Sequence, residues 1–551
     1  MSKDILRIGH VIEVDGSKTV GELEASISDL YRTHRSKKYA VGQVGSIVKI
    51  ESGDILIFGV ITSLRMVEVV DKKSPVTRVE SSNAKWIEIE LFGQGIKTGI
   101  DEASFEFERG ISTYPLPGQL IYLATINELK RVYAKPNKAT FQIGTVSQAR
   151  GLPVHLLIDE LLGKHFAVLG TTGSGKSCAV TLILDAILRD YPYGHIILLD
   201  PHNEYARAFG DRARVIDPMT LEIPHWLLNF EESVELFVGK TEHAATSQTN
   251  ILKDGILKAR MDSLSIVPSS LGLTSDKVTV DTPVPYKIDT LIQSITSARP
   301  SQESKAESHN KILNKIKLLR EDKRFEFLLL PETKVEDNLT KFLGDLIRIP
   351  SDGKPLSIID LSGVPSDVVD VVVSVLCRTV FDFSLWNTKR AEVPLLLVCE
   401  EAHRYAPRSD EAAFQPTKRA LARIAKEGRK YGVGLALVTQ RPSELSESIL
   451  SQCNTIIALR MSNEQDQNFV RRALPDNVKS LVDALPTLRT REALAVGEGT
   501  SVPVRLLFDK IPEDRQPRSQ DASFSKAWGT EVSDTALIEE VVRRWRIQNR
   551  G

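Results

Sequence analysis

The chain has 551 residues, which at roughly 150 residues per domain predicts three or four domains rather than one. Hydrophobic residues make up 42% and charged residues 26%, an ordinary globular mixture that excludes a disordered or fibrous chain. Lys and Arg total 71 against 72 Asp and Glu, a net charge of -1, so a polycation is excluded and any nucleic-acid contact must come from local clustering. Cys178, Cys377, Cys399 and Cys453 are too far apart for a metal knuckle and too few to staple a chain this size, which points to a reducing compartment. The N-terminal MSKDILRIGH lacks the apolar core of a signal peptide. The most apolar run, VVDVVVSVLC, is broken by Asp370 and falls short of the ~20 residues a membrane span needs. A soluble cytoplasmic protein with no membrane partner is expected.

Residues 1–150 read as β structure. VGSIVKI, DILIFGVIT, KWIEIELFG, QLIYLATI and TFQIGTV are rich in β-branched and aromatic residues, with turn formers ESGD, PLPG and KPNK between them. Short strands at this spacing predict a small closed barrel, since an open sheet would expose its edges; its expected role is docking or assembly. From 151 the pattern becomes strand–helix alternation: HFAVLG (165–170), the helical KSCAVTLILDAILRD, then HIILLD (195–200), LSIIDL (356–361), PLLLVCEE (394–401), GLALVTQ (434–440) and TIIALR (455–460). Strands this uniformly apolar are buried on both faces, so 151–219 and 351–500 predict an α/β doubly wound parallel core.

Residues 220–350 read as a helical insertion. In ILNKIKLLREDK, Ile312, Leu313, Ile316 and Leu319 form one apolar stripe, and the polar run 297–310 is expected as a mobile loop. Residues 501–551 predict a strand, a surface-hugging linker and a terminal helix with acid early and Arg late, as the helix dipole favours.

Gly170, Thr171, Thr172, Gly173, Ser174, Gly175, Lys176 and Ser177 fit G-x-x-x-x-G-K-[ST], with a predicted strand before and a helix after. Such a turn wraps a triphosphate in backbone N–H groups at a helix N-terminus, and glycine permits the close approach. Residues Gly170 to Cys178 are the candidate ATP-binding run, with Lys176 on the β- and γ-phosphates and Ser177 on Mg2+. PLLLVCEEAH ends an apolar strand in two carboxylates: Glu400 would orient Mg2+ or its water shell, and Glu401 would polarise the attacking water. Gln440, ending a further strand, could sense the γ-phosphate. His202, between Asp200 and Glu204, has no second His or Cys at ligand spacing, so no zinc site is assigned. The stretch 417–432 holds Lys418, Arg419, Arg423, Lys426, Arg429 and Lys430 against Glu427. Such a run is commonly a solvated face, yet an arginine here could serve a neighbouring subunit's ATP; Arg429 is the first candidate and Arg423 the second.

GTTGSGKS, LLDPHNEY, VCEEAHRYAP, IAKEGRKYGVGLALVTQRP and TIIALRMSN follow one another in an order that resembles the HerA family of hexameric DNA translocases, in the HerA/FtsK group. The resemblance runs from RIGHVIEV to the tail. It implies a barrel that assembles the ring, a RecA-like P-loop ATPase core with a helical-bundle insertion, and a C-terminal brace on the adjacent protomer. It also implies a homo-hexamer threading duplex DNA through a central pore. The implied partner is a NurA-type nuclease or, in anti-phage defence, a nuclease or sirtuin-like NAD-hydrolysing effector. Two departures stand out. Lys426 occupies a position commonly Arg, which favours Arg429 as the residue acting in trans, and Lys164 stands where an inter-subunit Arg is frequent.

A second reading is an ATP-binding hexameric scaffold that assembles and regulates an effector without obligatory translocation; DNA-stimulated ATPase separates the two. A membrane-coupled conjugation ATPase and a small-molecule kinase fit less well, the first for want of a spanning segment and the second for want of an acceptor pocket.

Overall fold

Along the N-terminal strands, buried aliphatic residues alternate with polar ones, and the sheet they form closes on itself. In the computed structural model these strands are β1 (Arg7–Asp15), β2 (Lys18–Leu23), β3 (Tyr31–His34), β4 (Lys37–Ala40), β5 (Ile47–Ser52), β6 (Ile55–Val70), β7 (Val79–Lys97), β8 (Phe105–Arg109) and β9 (Leu120–Leu123). The structure describes all residues except 1–3, 17, 26, 28–30, 35–36, 71–78, 100, 102–103, 150, 218–222, 240–244, 268–271, 330–334, 410–413, 518–523, 530–534 and 547–551. The antiparallel order is β2-β1-β9-β5-β6-β7, and pairing of β2 with β7 completes a six-stranded ring to which β8 is appended. Closure leaves no free edge on the ring, as expected from the strand spacing. Ile8, Val48, Ile50, Ile57, Ile61, Ile87, Ile89 and Ile121 fill it and are fully buried.

Where QLIYLATI reads as one strand, the structure ends β9 at Leu123 and starts a helix, Ile126–Val132. A capping box explains the break: Thr125 Oγ1 accepts from the Glu128 N–H at 3.2 Å, and Glu128 Oε2 accepts from the Thr125 N–H at 2.7 Å. The remaining Glu128 oxygen takes Lys49 Nζ at 2.6 Å inside the barrel wall.

The chain folds into two compact units: Met1–Pro192 with Glu401–Asp410 and Ala422–Ile511, and Tyr193–Glu400 with Glu411–Leu421 and Pro512–Gly551. The remaining strands are β10 (Thr140–Val146), β11 (Pro153–Leu157), β12 (Phe166–Leu169), β13 (His195–Asp200), β14 (Ala213–Ile216), β15 (Leu356–Asp360), β16 (Leu395–Cys399), β17 (Val433–Thr439), β18 (Thr455–Leu459), β19 (Glu492–Gly497) and β20 (Val504–Phe508). In the first unit β12 lies between β17 and β18, all parallel, and β18-β19-β20-β10-β11 continue antiparallel. TFQIGTV therefore forms a strand as read but joins β11 and β20, not the barrel. Leu56, Phe58, Phe92 and Phe105 of the barrel pack with Val502, and Arg109 donates to the carbonyls of Gly497 and Thr500 at 3.1 and 3.2 Å.

In the second unit β16-β13-β15-β14 are parallel. The same unit carries the helices Phe230–Phe237, Ala245–Asp262, Ile288–Ser297 and Glu303–Glu321. Ile312, Ile316 and Leu319 are buried, as the stripe predicts. The polar run 297–310 is helix from Glu303, not a mobile loop. Arg299 bridges Asn310 at 2.9 Å and Glu303 at 2.5 Å, Asn310 donates to Glu303 at 2.9 Å, and Ala306 and His309 are buried. The terminal helix is Ala536–Arg546, and part of the expected linker, 518–523, lies outside the described residues. No helix among the described residues is long and apolar enough to cross a membrane.

Candidate nucleotide site

Parallel pairing in register brings three strand ends to one edge of the first unit. Leu169 of β12 pairs with Thr439 of β17 and Ala458 of β18, so the glycine-rich turn, Gln440 and Arg460 all leave the sheet together. Open α/β sheets bind ligands at such carboxyl edges.

The turn 170–175 connects β12 to the helix Lys176–Asp190. Gly175 is its N-cap with φ +99°, a left-handed conformation that side-chain-bearing residues rarely adopt. A Cβ on Gly170 would lie 2.7 Å from Ser174 Oγ and 2.9 Å from Leu459 Cβ, so the turn seats against β18 only with glycine there. The Thr171 N–H and hydroxyl both donate to the Arg460 carbonyl, at 3.1 and 3.0 Å, and the Arg491 N–H donates to the Ser174 carbonyl at 3.3 Å. The helix that follows has no side-chain cap and no acid in its first turn. Ser174 Oγ is buried without a hydrogen-bond partner among the described residues. An uncapped helix N-terminus with an orphaned buried hydroxyl suits an anion such as a phosphate group. Thr172 is exposed, whereas Ser177 and Cys178 are half-buried.

Lys176 and Glu401 form a buried ion pair. Lys176 is 8% and Glu401 4% exposed, and Lys176 Nζ lies 3.7 Å from Glu401 Oε1. Glu401 has φ +52° and caps the turn Ala402–Arg404. A non-glycine residue held left-handed costs about 1–3 kcal/mol, a strain typical of functional positions. Glu401 Oε2 accepts no hydrogen bond among the described residues. His403 Nδ1 stands 3.3 Å from that oxygen and 2.9 Å from Thr439 Oγ1. Burial pulls the His403 ring below its ordinary value, and the Glu401 carboxylate opposes the fall. Gln440 Oε1 accepts from the Thr172 hydroxyl, tying the end of β17 to the turn.

Glu400 belongs to the second unit, at the end of β16, 2% exposed. Its Oε2 accepts the Tyr205 hydroxyl at 2.7 Å. Nearby in that unit Asp200, fully buried, accepts the N–H groups of His202 and Tyr205 at 3.2 and 3.0 Å. Burial raises the Asp200 carboxyl, and those backbone bonds offset part of the rise. LLDPHNEY thus builds, with Glu400, an Asp–Tyr–Glu cluster whose Tyr205 no motif in the sequence marks.

Arg423 and Arg429 are exposed on the helix Gln415–Tyr431, whose Leu421, Ile424 and Ala425 are buried. Lys164 is held in its own chain, at 2.6 Å from Glu160 and against Glu498. Past the ends of β17 and β18, Arg408, Arg441 and Arg472 line a polar cleft of about 750 Å3 with Asn463 and Asn468. Asp466, also at this cleft, is occupied by the Ser443 N–H at 3.0 Å and hydroxyl at 2.6 Å, and Glu444 by Arg441 at 2.9 Å. Three arginines dispersed over three segments left no run to read in the sequence.

A family model described as the central domain of helicase HerA matches residues 141–380. The DNA double-strand break repair helicase HerA of Pyrococcus furiosus is 29% identical over 438 residues, covering 72% of this chain and 74% of that protein. Its counterpart in Sulfurisphaera tokodaii is 28% identical over 408 residues, with 72% and 74% covered. Among solved structures, VirB4 of Thermoanaerobacter pseudethanolicus superposes with a TM-score of 0.48 at 16% identity, over 69% of this chain and 99% of that one. The chain is HerA-like in its central domain and over most of its length.

Proposed function

We propose that this HerA-like chain is an ATP-driven, ring-forming translocase or helicase of double-stranded DNA that hydrolyses ATP at subunit interfaces. The observation that carries the reading is the buried Lys176–Glu401 pair beside a helix N-terminus without a side-chain cap, with one carboxylate oxygen unbonded among the described residues. Residues Gly170 to Cys178 would cradle the phosphates. Lys176 would leave Glu401 to neutralise the β- and γ-phosphates, and Glu401 would then hold and deprotonate the attacking water. Mg2+, held by Ser177 and Glu400, would supply charge neutralisation on the phosphate oxygens; the buried Glu400 oxygens and the half-buried Ser177 hydroxyl are hard donors that suit it. Gln440, already bonded to Thr172, would report the state of the γ-phosphate. Arg429, or next Arg423, would reach the ATP of an adjacent protomer.

In this reading residues 1–150 assemble the ring, 151–219 and 351–500 form the motor, 220–350 are its insertion, and 501–551 brace the neighbour. The resemblance supports a homo-hexamer around duplex DNA. It likewise supports a companion effector, a NurA-type nuclease or an anti-phage nuclease or sirtuin-like NAD hydrolase, in the cytoplasm. The cleft of Arg408, Arg441 and Arg472 suits the phosphate backbone, whose contacts are independent of sequence as a motor requires. The test is ATP turnover by the full chain at moderate salt with and without duplex DNA. Stimulation by duplex is expected; turnover indifferent to any DNA would favour the scaffold reading.

A further inference from the structure

Beside Glu401 stands a side chain, His403, that the roles above leave unused. We propose that His403 is a positioning residue for Glu401, holding the carboxylate through Nδ1–H and linking it to the tip of β17. The inference rests on the hydrolytic reading of Glu401.

The turn Ala402–Arg404 follows directly on the left-handed Glu401. It brings the imidazole to both Glu401 Oε2, 3.3 Å from Nδ1, and Thr439 Oγ1, 2.9 Å from Nδ1. His403 and Glu401 side chains are 12% and 5% exposed, so water does little to screen the contact. The two distances select a tautomer. A lone pair on Nδ1 would face a carboxylate oxygen and be repelled, whereas a proton there is attracted to both oxygens. Thr439 Oγ1 already accepts the Arg441 N–H at 3.0 Å, and its second lone pair remains for Nδ1–H.

The short bond goes to threonine and the longer, poorly aligned contact to the carboxylate. Oε2 is thus restrained by an N–H dipole while accepting no full hydrogen bond among the described residues. That distinction matters chemically. A strong bond to Oε2 would lower its basicity, whereas a weak one fixes its direction and leaves it basic enough to take a water proton.

Thr439 is also the neighbour of Gln440, which accepts from Thr172 of the phosphate turn. The end of β17 therefore touches the turn through one residue and Glu401, via His403, through the next. A shift of Gln440 when the turn is filled would move Thr439 and so re-aim the carboxylate.

The test uses four variants of the full chain: His403→Asn, His403→Gln, His403→Ala and Thr439→Val. Asparagine keeps an N–H where Nδ1 stands, glutamine places it farther out, and valine removes the oxygen that anchors the ring. Steady-state kcat and KM for ATP are measured with binding of a fluorescent ATP analogue and apparent Tm. The expected result is a loss of kcat of about 100-fold in His403→Ala, His403→Gln and Thr439→Val, the scale of a misplaced catalytic group. KM, analogue binding and Tm stay near wild type, and His403→Asn recovers to within a few-fold. Wild-type kcat in His403→Ala overturns the proposal, as does rescue by glutamine equal to that by asparagine, or a kcat loss that tracks a fall in Tm. A wild-type protein that binds the analogue yet releases no phosphate overturns the hydrolytic reading itself.

Discussion

Replacing Glu401 by Gln separates two things the carboxylate does, and they respond in opposite directions. Glu401 Oε1 lies 3.7 Å from Lys176 Nζ, both residues under 10% exposed. At an effective dielectric of about 20, such a pair attracts by about 4 kcal/mol in gross terms. Lys176 forfeits part of this when it turns to a phosphate. The neutral amide removes the competition while keeping the shape, and recovery of one third of the attraction, about 1.4 kcal/mol, tightens ATP binding about tenfold. The same substitution removes the base, whose contribution is about 10²–10⁴ in rate. Equilibrium binding of a fluorescent ATP analogue in Mg2+ and continuous phosphate release measure the two effects on one preparation. Glu401→Gln is expected to bind about tenfold tighter and turn over at least 100-fold more slowly, whereas Lys176→Ala loses both. Weaker binding by Glu401→Gln would refute the charge-competition argument, and unchanged turnover would refute the role of the carboxylate.

Three further outcomes follow from the same structure. Lys49→Met leaves Glu128 fully buried without its cation, which costs about 3–5 kcal/mol; the apparent Tm should fall, and Lys49→Met with Glu128→Gln should lose less than Lys49→Met alone. His225, fully buried and donating from Nε2 to the Tyr286 carbonyl at 2.8 Å, is pushed by burial down to about 4 from 6.5. Between those values the unfolded chain takes up a proton that the folded one refuses, so stability falls as the pH drops, by about 3 kcal/mol across the window. Urea midpoints from pH 7 to 4 should drop less in His225→Gln, and equal slopes would remove His225 from the account. Arg408→Ala with Arg472→Ala should weaken duplex DNA binding and reduce the salt slope of log K by about 2, because each lost phosphate contact removes about 0.9; an unchanged slope would place the DNA elsewhere.

Motifs with fixed spacing were the most legible part of the site. The P-loop turn is legible because its glycines and flanking strand obey one geometry, whereas the ion pair of Lys176 with Glu401 is not, since Lys176 opens a helix and Glu401 follows a strand far along the chain. EEAH advertises two carboxylates and leaves His403 unmarked, and its partner Thr439 reads simply as the last residue of an apolar strand. A strand's pattern reports which faces are buried but not its neighbour, so TFQIGTV was recognisable as β while its pairing with Phe508 to Leu506 was not. The helix starting at Glu303 lacks apolar periodicity in its first turns; the Arg299–Glu303–Asn310 network supplies there what burial supplies elsewhere. Arg260 shows the same limit, since a fully buried arginine whose two terminal nitrogens donate to the carbonyls of Trp226, Leu228 and Thr282 leaves no pattern along the chain.

Phosphate release from Mg2+·ATP by the purified full chain, with and without duplex DNA, tests the chemistry at Lys176 and Glu401 most directly. Steady turnover that rises with duplex and disappears in Lys176→Ala is the predicted result. Release that persists undiminished in Lys176→Ala, or a wild-type chain that splits no ATP under either condition, would contradict it.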